Sequence, residues 1–233
     1  MTSSAGFYDD APVPVRADLA DAHRDTFESW ASAGNYWTGA ERLAIAAEVR
    51  RARAADELPP WVGPSTVEGL VADDHVLPAA AVDAVWRLTN HSSTMSAAVY
   101  EAFVADGLDP ARYAELVGVV ATANCIEVFA DSLGIDSRPL PEPMAGDPDP
   151  SDAPTDVAVT THWVPTAPGQ RGNVVRALSS VPVAMRDWLR LSDAQYVPIP
   201  AVGGDLTWSR GAIDRRQVEL LAARTSLLNE CFY

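Results

Sequence analysis

The chain has 233 residues, 48% of them apolar, and 32 acids against 17 bases, a formal net charge of -15. That length supports one or two domains with a sizeable core, and the acidity argues against nucleic acid and anionic membranes as partners, since both would repel it. All the bases are arginine.

Residues 1–16 lack an apolar stretch of signal-peptide type, and no charge-free run approaches a membrane span, so a cytoplasmic protein is expected. Cys125 and Cys231 are the only cysteines, too few for a disulfide framework. Arg16 to Ala33 reads as an acid-rich helix with Leu19, Phe27 and Trp30 as its apolar positions, closed by Gly34. Thr38-Gly39-Ala40-Glu41 reads as a capping box, in which the hydroxyl takes an orphan N–H and the glutamate reaches back. The helix it opens runs through Ile45 and Val49 into Arg50-Arg51-Ala52-Arg53, bases that complement the dipole of a last turn. Pro59 to Asp74 is a turn-rich connection, and Pro78 starts a further helix through Val82, Val85 and Trp86.

Asp109-Pro110 is a strong start, an aspartate cap with proline in the first helical position. From there to Leu133, Tyr113, Leu116, Val117, Val120, Asn124, Val128 and Phe129 recur with helical period, and Gly134 closes the helix. Cys125 beside that face is expected as a small core residue, and Asn124 as the holder of an interhelical hydrogen bond. From Ser137 to Gly172 eight prolines favour extended, hydrated backbone, which reads as a linker. Asp147, Asp149 and Asp152 are a charge run in it and lack the glycine and glutamate of a calcium loop. Val157 to Val164 suits a short strand with no visible partner. Helices follow at Asn173–Ser180, Pro182–Leu191 and Ala212–Leu228. The expected class is all-α: residues 1–136 as one unit, 137–172 as linker and 173–233 as the opening of a second unit.

The last helix carries Glu219, and Cys231 stands twelve positions on, followed by Phe232 and Tyr233. This spacing resembles the signature of the alkylhydroperoxidase D-like and carboxymuconolactone decarboxylase superfamily: a glutamate, eleven residues, a cysteine, two residues, a second redox residue, three residues and a histidine. The segment Asn173 to Leu178 followed by Val181-Pro182 also resembles the helix that precedes the motif there. The closest resemblance is to a two-repeat subgroup of alkylhydroperoxidase-related proteins and selenoproteins. Ala46-Ala47-Glu48-Val49 aligns with Ala222-Ala223-Arg224-Thr225, and on that register Leu43 replaces Glu219 and Ala55 replaces Cys231, so residues 1–136 look like a complete but degenerate repeat. The second redox residue would follow Tyr233. In the subgroup it can be selenocysteine, encoded by UGA, and a UGA codon after Tyr233 is the matching expectation.

The resemblance implies a thiol- or selenol-dependent peroxidase with a peroxide substrate and a dithiol reductant, and it leaves room for a homo-oligomer. Cys231 would be the resolving thiol and Glu219 part of the proton relay. Twelve residues of straight helix would separate the two by about 18 Å, so the helix is expected to end near Asn229 and the chain to fold back. The 233 residues as they stand would be inactive, one redox residue being unable both to attack and to resolve. Read without the family, Glu219 is a solvated helix acid paired with Arg215 or Arg216. Two other function classes stay open: a non-catalytic helical scaffold, and a decarboxylase-type enzyme. His23, His75, His91 and His162 have no metal-ligand spacing, and no metal or cofactor is expected.

Overall fold

The computed structural model describes residues 6–55, 75–160, 162–169, 172–202 and 209–228. Among these the architecture is helical, with one short hairpin as its only sheet. No strand forms between residues 16 and 134 where the chain is described, as the succession of caps and helical faces predicts. The connection 59–74 lies outside the described residues.

The first helix, α1 (Ala17–Ser29), stops four residues short of the expected end. Its exit is set by a long-range contact. A carboxylate oxygen of Glu115 approaches the next turn so closely that a Cβ on Gly34 would sit 1.9 Å from it. Only glycine leaves room for that approach, which lets Tyr36 N–H donate to Glu115 Oε2 at 2.7 Å. The following helix, α2 (Gly39–Arg53), forms the expected box: Glu41 N–H donates to Thr38 Oγ1 at 3.2 Å and Thr38 N–H to Glu41 Oε2 at 2.9 Å. Gly39 permits a backbone approach to Ala31, whose carbonyl a Cβ would meet at 2.0 Å.

Next come α3 (Ala79–Asn90), a 3-10 turn at Ser92–Thr94, α4 (Ala97–Ala105) and α5 (Pro110–Leu133). Asp109 caps α5 by accepting from Ala111 and Arg112 N–H, and Gly134 ends it in the left-handed region at φ 69°. By length and composition α5 could cross a membrane, with a mean hydropathy of 1.5. It is instead the central helix, packed against α1, α2, α3 and α7 (Pro182–Gln195). Its buried residues therefore extend beyond one stripe, to Ala114, Glu115, Val119, Ala123, Ile126 and Glu127.

Residues 137–160 carry no helix, yet single residues pin the stretch down. Met144 N–H donates to Ala31 O at 2.8 Å and Asp149 N–H to Gly34 O at 3.0 Å. Asn35 donates to Asp149 O and to Asp152 Oδ1. The strand expected over residues 157–164 is not formed among the described residues; Ala158 and Thr166 make one isolated bridge, exchanging two backbone hydrogen bonds of 3.0 Å. Beyond α6 (Asn173–Ala177), α7 docks through small residues. A Cβ on Gly118 would meet Ala184 at 2.5 Å.

Two buried polar groups fix that docking. Arg42 of α2, 1% exposed, donates to Ser29 O at 2.7 Å and Ser32 O at 3.0 Å, and its Nη2 reaches Asp187 Oδ2 of α7 at 3.0 Å. Its Nε stands 3.5 Å from Glu115. Nearby, Gln195 donates its amide N–H to His23 Nε2 at 2.9 Å, which leaves the ring proton on Nδ1, 2.6 Å from the Tyr8 oxygen.

Asp187→Ala removes the nearest carboxylate from the buried Arg42 and leaves it two carbonyls and the more distant Glu115. A cost of roughly 3–5 kcal/mol is expected, read as a fall in the urea midpoint; an unchanged midpoint would refute it.

Burial moves His23 and Glu115 in ways that oppose each other. It lowers His23 from its ordinary 6.5 to about 4, so its contribution is present above pH 6.5 and lost as the pH falls towards 4. It raises Glu115 from 4.5 to about 7, against the pull of Arg42, so its contribution is present below pH 4.5 and lost as the pH rises to 7. Between pH 4.5 and 6.5 the two slopes offset each other. Glu115→Gln should expose acid lability of about 3 kcal/mol from His23 across that range, seen in urea midpoints at successive pH values. A variant with the parent's pH profile would rule out the compensation.

Candidate functional site

The chain after α7 passes through α8 (Ile199–Val202) to a hairpin of β1 (Ser209–Arg210) and β2 (Ile213–Asp214). The strands pair antiparallel, Ser209 with Asp214 and Arg210 with Ile213. Gly211 supplies the positive φ, 61°, in the turn between them. The hairpin delays the last helix: α9 is Arg215–Leu228, three residues later than expected. A local cap explains the start. Gln217 N–H donates to Asp214 Oδ1 at 3.0 Å, and Asp214 N–H donates to Gln217 Oε1 at 2.9 Å. This reciprocal Asp-x-x-Gln pair is a variant of the capping box and was readable in the sequence.

Glu219 sits one turn into α9, partly exposed. Arg215, itself 5% exposed, donates from Nε to Glu219 Oε1 at 2.5 Å and from Nη1 to Ala201 O at 2.9 Å. The sequence-based pairing of Glu219 with Arg215 or Arg216 is thus met by Arg215. Tyr196, just past the end of α7, adds a partner that the sequence did not suggest: its hydroxyl donates to Glu219 Oε2 at 2.7 Å. The Tyr196 hydrogen bond, followed by the Arg215 guanidinium, holds the Glu219 carboxyl below its usual range, against a smaller opposing effect of burial. Burial, then the neighbouring carboxylate, raises Tyr196. At neutral pH the pair is a carboxylate accepting from a protonated phenol. Such a unit stabilises a nearby positive charge or relays a proton; it is a weak base by itself.

Beside it lies a cavity of about 250 Å³ lined by Arg16, Tyr196, Val218, Leu221, Ala222 and Thr225, among others. Cys231, the second candidate residue, lies outside the described residues, as do Asn229, Tyr233 and the expected fold-back. Nine residues of helix carry the chain about 14 Å from Glu219 to Leu228.

Cys125 departs from the core position expected for it: it is exposed. The reason is rotational. Cys125, Val128 and Ser132 share an exposed stripe of α5 among the described residues, and Val128 is 51% exposed. Asn124 does make its interhelical contacts, to Thr89 Oγ1 at 3.5 Å and from Arg53 at 3.4 Å. In the aspartate run, Asp149 Oδ1 accepts from Ser151 N–H, and Asp152 accepts from Asn35. His75 sits 3.1 Å from Glu48, which also accepts from Trp86 Nε1 at 2.8 Å.

Comparison with family profiles, with curated proteins and with solved structures found no match to the chain.

Tyr196→Phe removes the phenolic donor and should raise the Glu219 ionisation midpoint towards its ordinary 4.5. Carboxyl NMR titration against the parent checks this. An unmoved midpoint would mean that Arg215 alone holds the carboxylate.

Proposed function

We propose that α9 belongs to a thiol- or selenol-dependent peroxidase centre of the alkylhydroperoxidase type, with Glu219 in its proton relay and Cys231 as the resolving thiol. The observation that carries this reading is the environment of Glu219. The residue at the motif's first position is held ionised by Tyr196 and Arg215, in the first turns of the helix that leads towards Cys231. A plain helix acid would make the Arg215 pairing too; the Tyr196 phenol is the partner that such an acid does not require.

The chemistry needs a second redox residue directly after Tyr233. Its thiolate or selenolate attacks one oxygen of a hydroperoxide, the O–O bond breaks, and the alcohol leaves after taking a proton through the Glu219–Tyr196 pair. The resulting sulfenic or selenenic acid is attacked by the Cys231 sulfur. Water leaves, and a disulfide or selenenylsulfide forms. A dithiol returns two electrons and two protons, restoring both residues and becoming a disulfide itself.

The test begins with the codons after Tyr233. A UGA or cysteine codon is expected, with histidine four codons later; any other residue or another stop there ends this reading. A chain carrying the second redox residue and the histidine should consume hydroperoxide with a dithiol. Cys231→Ser should abolish turnover, and Glu219→Gln should slow it about a hundredfold, the usual scale of an acid–base contribution. The 233-residue chain should match its own Cys231→Ser control. An extended chain no faster than that control would leave the other reading, a helical scaffold. The specific observation favouring that alternative is the bare leucine face of α9.

A further inference from the structure

Four leucines of α9 face solvent: Leu220 is 70% exposed, Leu221 58%, Leu227 68% and Leu228 67%. They fall in two pairs seven residues apart, so each pair points nearly the same way after two turns. Val218 and Ala222 turn towards the chain's own body, where they share a cavity with Arg16. Leu220 and Leu227 lie on another stripe, and Arg216 and Arg224 share it at helical spacing. The stripe reads arginine, leucine, arginine, leucine. Large apolar groups clustered in this way mark an interaction surface.

The charge on the stripe says what fits it. α9 has three arginines against one glutamate, on a protein whose net charge is -15. Antiparallel pairing of α9 with another α9 would bring these arginines together, so that arrangement is disfavoured. α1 has the opposite balance, four acids (Asp18, Asp21, Asp25, Glu28) against Arg24. All four acids are exposed and recur at three- and four-residue steps along one side of the helix; Asp18 pairs with Arg16, and Asp21 and Asp25 with Arg24, so four acids against two arginines leave that side net acidic by two. Alongside α1 runs an open cavity of about 480 Å³ lined by Phe7, Val13 and Ala17 together with the charged Asp9, Asp21 and Arg24. Val13 there is 53% exposed. A basic leucine stripe and a net acidic helix beside a partly apolar groove are complementary in charge and in polarity.

Both surfaces belong to one chain, and they adjoin. Arg16, which opens α1, lines the cavity formed by the inner face of α9. A two-fold axis can therefore lay each α9 on the other copy's α1 at the same time and close the assembly at two chains. We infer that the leucine–arginine stripe of α9 docks on the acidic face of α1 and its adjoining groove in a second copy of this chain, making an isologous homodimer. The docking is independent of any reaction at Cys231.

Sedimentation velocity and light scattering over a concentration series decide it. The 233-residue chain should reach twice its 24.9 kDa mass, with a dissociation constant on the order of micromolar, as a small interface gives. Leu220→Asp with Leu227→Asp should leave monomers of unchanged circular dichroism, since both side chains are already in water. Arg216→Glu with Arg224→Glu should weaken the pair at least tenfold. Mixing that chain with one carrying Asp21→Arg and Glu28→Arg should restore association, a result that a merely structural role for α9 would not give. A parent chain that stays monomeric at several hundred micromolar would overturn the proposal. So would a dimer that survives the double leucine change, or a charge reversal without rescue. Monomers that instead bind an acidic amphipathic helix peptide would assign the stripe to a foreign partner and overturn it as well.

Discussion

A guanidinium with almost no access to water organises this fold. Arg42 reaches two carbonyls at the end of α1, Asp187 on α7 and Glu115 on α5, so one side chain of α2 fixes the positions of three other helices. Burying a charge is tolerable only with close partners. Asp187 is shared with Arg190, whose Nη1 stands 3.3 Å from its other oxygen, and burial raises the Glu115 carboxyl to about 7 against the pull of Arg42. Gly34 and the turn at Tyr36 follow from the same contact, because the carboxylate occupies the space that a Cβ at residue 34 would take. The early end of α1 is thus a consequence of a residue some eighty positions away.

This separates what the sequence discloses from what it hides. The starts of α2 and α5 and the end of α5 were legible, because Thr38-x-x-Glu41, Asp109-Pro110 and Gly134 act within a few residues of themselves. The cap of α9 is equally local, since Asp214 and Gln217 stand three residues apart and bond each other reciprocally. Arg42, Glu115 and Asp187 gave no signal. Each looks like an ordinary helix-surface charge until the fold brings together residues more than seventy positions apart. Cys125 misled for a related reason: periodicity locates an apolar helix, but on a helix packed on several sides it does not say which stripe stays uncovered.

Half of the candidate site was visible. Glu219 could be singled out by its spacing to Cys231, and its partner Arg215 by helical neighbourhood. Tyr196 could not, since it belongs to the end of another helix and its approach depends on the turn through α8 and the hairpin. That dependence ties the site to the core. Tyr196 follows Gln195, which holds His23, and α7 as a whole is fixed by Asp187. The carboxylate at the start of α9 is therefore positioned by the same polar contacts that seat α7 on the bundle.

The two ends of α9 differ in what holds them. At the first turn, Arg215 and Arg216 lie where the helix dipole disfavours cations, and Asp214, Glu219 and the Ala201 carbonyl offset this with short hydrogen bonds. Beyond Glu219 the contacts thin out and the leucines face water. Fourteen residues are marginal for an isolated helix, because nucleation is costly and each further residue adds little. A fixed first turn removes the nucleation cost, and burial of the leucine face would supply what the remaining turns lack. The polar anchor of Arg215 and Glu219 therefore holds the first turns of α9, and its leucine face is where further burial would add stability.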